Sequence, residues 1–295
     1  MALFRKTSKP RLACEITPFS VIAARANRDS SGVDFYTARR LAVNTVSPSL
    51  AIDNVVNPGA LRDAIAGALA SLSGRNRDLI AILPDAAVRV MLLDFDTLPD
   101  KYSDADPLIR FRLRKSLPFD VDSAAVSFQS RRYNSGVKVL AAVVPSAVLA
   151  GYEAVFRGAG YEPGIVLSST LATLSTVEAR IPTLLVKADG PFITMAIVDA
   201  NEVLLYRTLD TPTSSADVAD AVYPSIVFYE DTYSSKLQRI LVAGTVSLSE
   251  IAAALHSQTG IQPEEVDFNV RVGEPLSGEP LSRSSIAGIA GALVS

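Results

Sequence analysis

The order of secondary-structure signals runs through one cycle twice, and this repeat constrains the fold more than any other feature of the chain. Three strand-like runs open it, at Arg11–Ile16, Phe19–Ala26 and Val33–Ala42. Thr17-Pro18 and the turn-rich stretch from Asn27 to Gly32 separate them. A helix is expected over Pro58–Ser73, with Asn57 suited to its N-cap, Pro58 to its first position and Gly74 to the residue past its end. Leu61, Ile65, Ala68, Leu69 and Leu72 recur at helical spacing and give that helix one apolar face. The run Leu79–Leu83 then reads as a buried strand ending at Pro84. The cycle returns with strand-like runs at Thr183–Val186, Phe192–Val198 and Val203–Thr208, and a helical segment over Ala216–Ser234. A buried strand over Arg239–Ala243 and a helix over Leu248–Gln258, followed by Gly260, complete it. Pro224 is expected to kink or break the first of these helices. Each cycle reads as an antiparallel meander, a crossover helix and a strand added in parallel.

Two such β-β-β-α-β units, facing one another, resemble the duplicated ribonuclease H-like halves of the two-lobed actin-like α/β fold, which is the expected architecture. Between them lies a different string. Val88–Phe95 reads as a strand, Ala105–Leu117 as a helix, Ala124–Arg131 and Val137–Val144 as a strand pair, and Ser146–Gly158 as a second helix. This is read as an inserted α+β subdomain with a small core of its own. The expected division is therefore 1–86 plus 161–180 for the first lobe, 87–160 for the insertion and 181–295 for the second lobe, closed by a small-residue helix over Ser284–Ser295.

Composition excludes several classes. Hydrophobic residues make up 48% of the chain and aromatic ones only 7%, which suits an aliphatic core and argues against disorder. A net charge of −3 gives no basic stripe for nucleic acid. Cys14 is the single cysteine, read as a small buried hydrophobe, so no internal disulfide forms and a reducing compartment fits. His256 is the single histidine, on a helix, with no cysteine or histidine pair for zinc and no nucleophile elbow for a hydrolase triad. No Walker A loop or G-x-G-x-x-G run occurs. The start lacks the apolar stretch of a signal peptide, and no run reaches the length of a membrane span. Recruitment to a membrane is expected to need a partner.

Within 109–170 a helix runs into Leu117-Pro118-Phe119, then a strand ending in Phe128-Gln129; further on come Ala141 to Ser146, with a valine pair before Pro145, and Gly160-Tyr161-Glu162-Pro163. These residues resemble the type IV pilus assembly PilM family, a relative of the cell-division protein FtsA. The insertion is similar to the subdomain called 1C in FtsA-like proteins. The cytoplasmic domain of the type II secretion protein GspL is a cousin with the same pattern.

That resemblance implies a nucleotide site between two facing hairpins, whose family pattern is Asp-x-Gly-x-Ser/Thr. The first hairpin here is Glu15-Ile16-Thr17-Pro18-Phe19-Ser20. Thr17 stands at the glycine position, Pro18 has no N–H to offer a phosphate, and Phe19 is bulky. The second is Lys187-Ala188-Asp189-Gly190-Pro191-Phe192, with a lysine where the acid should be; a register shift of two would restore Asp189. The adenosine-side glycine pair is Gly244-Thr245. These departures predict no ATP hydrolysis and no ATP or Mg²⁺ cofactor. The resemblance further implies a cytoplasmic scaffold at the inner membrane that takes the N-terminal peptide of a PilN-like membrane protein into a groove between first lobe and insertion. Arg110, Arg114, Leu117 and Phe119 are the candidate groove residues, and other platform proteins or further copies of the chain are candidate partners. Arg110, Arg112, Arg114 and Lys115 also make a locally basic run that Arg5, Lys6, Lys9 and Arg11 could extend, with Leu3-Phe4 dipping into an interface. The alternatives are a GspL-like secretion component and an active ATPase or kinase of the actin superfamily.

Overall fold

Glu15 lies in strand β1 (Leu12–Ile16), which is buried along its whole length because strands flank it on both sides. The computed structural model describes residues 9–51, 53–72, 74–210, 214–277 and 280–294. β1 pairs antiparallel with β2 (Ser20–Ala26), and β2 with β3 (Gly32–Arg40). Helix α1 (Pro58–Leu69) then crosses over to β4 (Asp78–Leu83), which joins β1 in parallel. Asn57 caps α1 by accepting from the Ala60 N–H at 3.1 Å. The helix stops at Leu69, short of the expected Ser73, and the turn that ends it is tied to the sheet. Thr37 Oγ1 donates to the Ala68 carbonyl at 2.6 Å, and Arg25 Nη1 to that of Leu72 at 3.3 Å.

The insertion comprises β5 (Arg89–Phe95), α2 (Tyr102–Leu113), β6 (Ala124–Tyr133), β7 (Gly136–Pro145) and α3 (Ser146–Gly158). Its strands form a three-stranded antiparallel sheet in the order β5-β7-β6. Ile109 and Leu113 of α2 pack on Val137, Val139, Ala141 and Val143 of β7 in a core separate from those of the lobes. Helix α3 does not share this core, contrary to expectation. Its buried residues Val148, Tyr152, Val155 and Phe156 pack with Leu61, Ile65 and Leu69 of α1. The apolar face read from the sequence is correct; its partner is the first lobe.

The chain returns through β8 (Glu162–Ser168), parallel to β4, and the short helix α4 (Ser169–Leu174). The second cycle is β9 (Thr183–Asp189), β10 (Phe192–Asp199), β11 (Glu202–Asp210), α5 (Ser215–Tyr233), β12 (Arg239–Gly244), α6 (Leu248–Thr259) and β13 (Glu264–Glu265). Strand order in this sheet is β11-β10-β9-β12-β13, repeating the first sheet's β3-β2-β1-β4-β8. Helix α5 runs unbroken for 19 residues through Pro224, which sits on the exposed face where the Asp220 carbonyl it frees can meet water.

The last part of the expected second lobe returns to the first. β14 (Arg271–Val272) and β15 (Pro275–Ser277) pair with β3. Helix α7 (Ala287–Val294) packs on β1, β2 and α4. Every residue of α7 from Ala287 to Leu293 is buried. A helix apolar all round can only lie between layers, and the space between the two sheets supplies them. Ile286, Ile289 and Leu293 there share a core with Ile80 and Ile82 of the first lobe and Leu185 and Leu241 of the second.

Candidate functional site

In open α/β sheets, chemistry gathers at the carboxyl ends of parallel strands. Those of β1, β4, β9 and β12 here carry Glu15, Asp85, Lys187 with Asp189, and Gly244. Lys187 and Asp189 are alternate residues of β9 and so share a face. The two registers considered for the second hairpin therefore both place a residue at the site.

The site is dry and ionic. Lys187 and Glu15 are only 3% and 1% exposed at the side chain, although they come from different lobes. The Lys187 ammonium pairs with Asp189 beside it and lies 3.5 Å from Glu15 Oε1 across the seam. Ser169 Oγ donates to the same Glu15 oxygen, while Oε2 is buried without a hydrogen-bond partner. Asp85 accepts from the Thr170 N–H at 2.9 Å, the Thr170 hydroxyl at 2.6 Å and, from the other lobe, the Tyr206 hydroxyl at 3.0 Å.

One ammonium thus faces three carboxyl groups. Burial pushes Glu15 up, although Lys187 and the Ser169 hydroxyl pull the other way. Burial also pushes Asp85 up, against Lys187 and the Thr170 donors. Burial disfavours the Lys187 charge as well, but Asp189, Glu15 and Asp85 outweigh it and hold the ammonium above the ordinary lysine range. Tyr206 is raised by burial and by Asp85. Burial likewise raises Cys14, consistent with an inert buried thiol.

The hairpin groups that could face a phosphate are engaged elsewhere. The Thr17 N–H donates to the Ser20 carbonyl at 2.8 Å. Thr17 Oγ1 takes the N–H of Ser20 at 2.9 Å and that of Phe19 at 3.3 Å. Opposite, Gly190 holds φ 68°, and the Phe19 ring lies so close that a Cβ there would stand 2.2 Å from Phe19 Cε2. The Thr245 N–H is shared between the Ala188 carbonyl at 2.9 Å and Asp189 Oδ1 at 3.1 Å. Gly244, at φ 104°, lets the chain pass the Ala188 carbonyl, where a Cβ would come within 2.3 Å. The residues present therefore suit a tethered ammonium better than a nucleotide's metal and phosphates.

Glu15, Thr17, Ser20, Lys187, Asp189, Gly190, Gly244 and Thr245 all lie around this seam. Asp85, Ser169, Thr170 and Tyr206 were not anticipated. Asp85 carried one legible signal, an acid just beyond the end of a buried strand.

A second concavity lies between α1 and α3. This groove, about 540 Å³, is lined by Asp53, Val55, Gly59 and Arg62 on one side and by Val148, Gly151, Ala154 and Gly158 among others on the other. Arg110, Arg114, Leu117 and Phe119 do not line it. Arg110 is held by Asp106 at 2.8 Å and by the carbonyls of Val121 and Ala124 at 2.8 and 3.1 Å. Arg114 pairs with Asp122 at 2.7 Å. Leu117 and Phe119 pack against the insertion's own core. These contacts are all within the insertion. The signal for the groove was the spacing of Ala147, Gly151, Ala154 and Gly158, which puts small residues along one stripe of α3. Arg11, expected in a basic patch, instead bonds the carbonyls of Ala26 and Asn27 at 2.7 and 3.2 Å. Leu3, Phe4, Arg5 and Lys6 lie outside the described residues. His256 sits exposed on α6.

A solved PilM–PilN type IV pilus biogenesis complex matches 97% of this chain and 100% of the compared chain, with a TM-score of 0.80 and 16% sequence identity. The fold is actin-like. A Bacteroides thetaiotaomicron protein with an actin-like ATPase fold and unknown function matches 100% of this chain and 99% of its own at TM-score 0.59 and 8% identity. The cytoplasmic domain of EpsL, an inner-membrane component of the type II secretion system of Vibrio cholerae, matches over 96% of this chain and 94% of its own at TM-score 0.57 and 10% identity. No family model matches the sequence, and no curated protein does. The resemblances to PilM and to the secretion-system domain thus hold at the level of the actin-like fold. Among the described residues, no helix is long and apolar enough to cross a membrane.

Proposed function

We propose that this chain is a non-enzymatic scaffold of a type IV pilus assembly complex at the cytoplasmic face of the inner membrane. In this reading it binds the N-terminal peptide of a PilN-like membrane protein in the groove between α1 and α3. The observation that carries the reading is the groove itself. Its walls come from the first lobe and from the helix that ends the insertion, and Gly59, Gly151, Ala154 and Gly158 leave room for a partner's bulky side chains. Val55 and Val148 offer apolar contact, and Asp53 and Arg62 supply charge of either sign. An extended peptide in such a groove gains affinity from a few buried apolar anchors. The nucleotide seam supports a scaffold over an ATPase, because its hairpin donors are spent internally and a lysine occupies its centre. The fold shared with a PilM–PilN complex supports this class of partner.

The test is calorimetric titration of the intact chain with a synthetic peptide of the cytoplasmic tail of the PilN-like protein from the same genome. Saturable binding at one site is expected, with Mg-ATP neither competing nor hydrolysed. No binding of that tail would remove the reading. Binding only of the tail of a type II secretion partner would transfer it to the secretion platform.

A further inference from the structure

We propose that Lys187 is a tethered cation that clamps the two lobes together, so that closure of this chain requires neither bound nucleotide nor metal. Acids approach this seam from both lobes, and two buried carboxylates cannot both stay ionised face to face without a positive charge between them. Here Glu15 comes from the first lobe and Asp189 from the second, and the Lys187 ammonium is the cation between them. It is 3% exposed at the side chain, so it is part of the seam's interior. Removing one partner of a buried ion pair leaves the other charge unpaired in a dry site, which is a strongly unfavourable state. With the ammonium gone, Glu15 and Asp189 would face each other across the seam, and separation of the lobes to admit water is the readiest relief.

The neighbouring contacts are built for the closed state. The Phe19 ring of the first lobe lies against Gly190 of the second, which only a glycine permits at that distance. The Tyr206 hydroxyl reaches over to Asp85 at 3.0 Å. Lys138 of the insertion meets Glu202 of the second lobe at 2.8 Å. These contacts are an apolar ring stack, a single hydrogen bond and a partly exposed ion pair. The Lys187 centre is the one among them that turns from attraction to repulsion when a single side chain is changed. The inference is independent of what occupies the groove between α1 and α3.

The experiment measures the distance between spin labels on Asp63→Cys in α1 and His256→Cys in α6, both exposed sites, while buried Cys14 remains unlabelled. The wild-type background should give one narrow distance that Mg-ATP does not move. Lys187→Met should give a longer and broader distribution. Should Lys187→Met fail to fold, Lys187→Gln decides: it removes the charge, keeps a polar side chain beside Asp189, leaves Glu15 and Asp189 facing each other, and should also open. A wild-type distance that is broad, or that narrows with Mg-ATP, overturns the proposal. So does a folded variant that keeps the wild-type distribution.

Discussion

Gly151→Leu separates binding from folding, because the two effects should have opposite signs. Gly151 sits in the middle of α3, a helix of 13 residues, and a Cβ built there meets no atom within 4 Å. The added Cβ clashes with nothing, and the change removes a glycine from a helix interior. Glycine costs about 0.8–1 kcal/mol relative to alanine in such a position, and leucine is close to alanine. The variant should therefore be more stable by about 0.5–1 kcal/mol, read as a higher urea midpoint with an unchanged slope. The same side chain projects into the 540 Å³ groove, where Gly151 is part of the lining. Filling the place of one buried anchor should cost about 2 kcal/mol or more of peptide affinity, roughly a thirtyfold rise in Kd. Calorimetry of the tail peptide against wild type and variant gives the answer. A variant that is as stable as wild type or more so, and binds within threefold of it, would falsify the assignment of this groove as the peptide site.

Two further outcomes follow from the ionic seam and its turns. Glu15 and Asp85 have carboxyl groups raised by burial above their unfolded values, so the stability they contribute is complete below the unfolded pKa and is lost as pH rises through the folded one. Each contributes a fall of about 1.36 kcal/mol per pH unit in that window. Glu15→Gln removes one such slope, so in urea titrations from pH 4 upward it should gain on wild type as pH rises, and a variant that loses ground with rising pH refutes the sign. Gly244→Ala forces a side chain onto φ 104° and to within 2.3 Å of the Ala188 carbonyl. It should destabilise by about 2–4 kcal/mol, from backbone strain and overpacking together, and a loss below about 1 kcal/mol in chemical denaturation would contradict that geometry.

The element order was legible from the sequence because it rests on local signals. Near-continuous apolar runs in β1, β2, β9 and β10 mark strands buried on both faces, and apolar residues at helical spacing in α1 and α3 mark the buried face of each helix whatever covers it. Asn57 and Pro58 marked the start of α1 in the same local way. The unusual hairpin residues were also legible one by one: Thr17 where a glycine belongs, Pro18 without a donor, Lys187 in place of an acid. Tertiary structure decided what these residues do. Glu15 meets Ser169 from 154 positions away, and Lys187 meets Glu15 only because two sheets built from distant stretches close on each other. The apolar face of α3 named no partner, since α1 and the insertion sheet both offer aliphatic surface; the connection through β8 back to β4 places it on α1. Asp106, one turn before Arg110, was legible as its partner, but the Val121 and Ala124 carbonyls and the Asp122 carboxylate that also hold Arg110 and Arg114 come from the loop and strand after the helix. The uniformly apolar α7 was expected to end the second lobe, because it follows that lobe's elements in the chain. It lies between the sheets instead, because burial on all sides is available only where two layers meet.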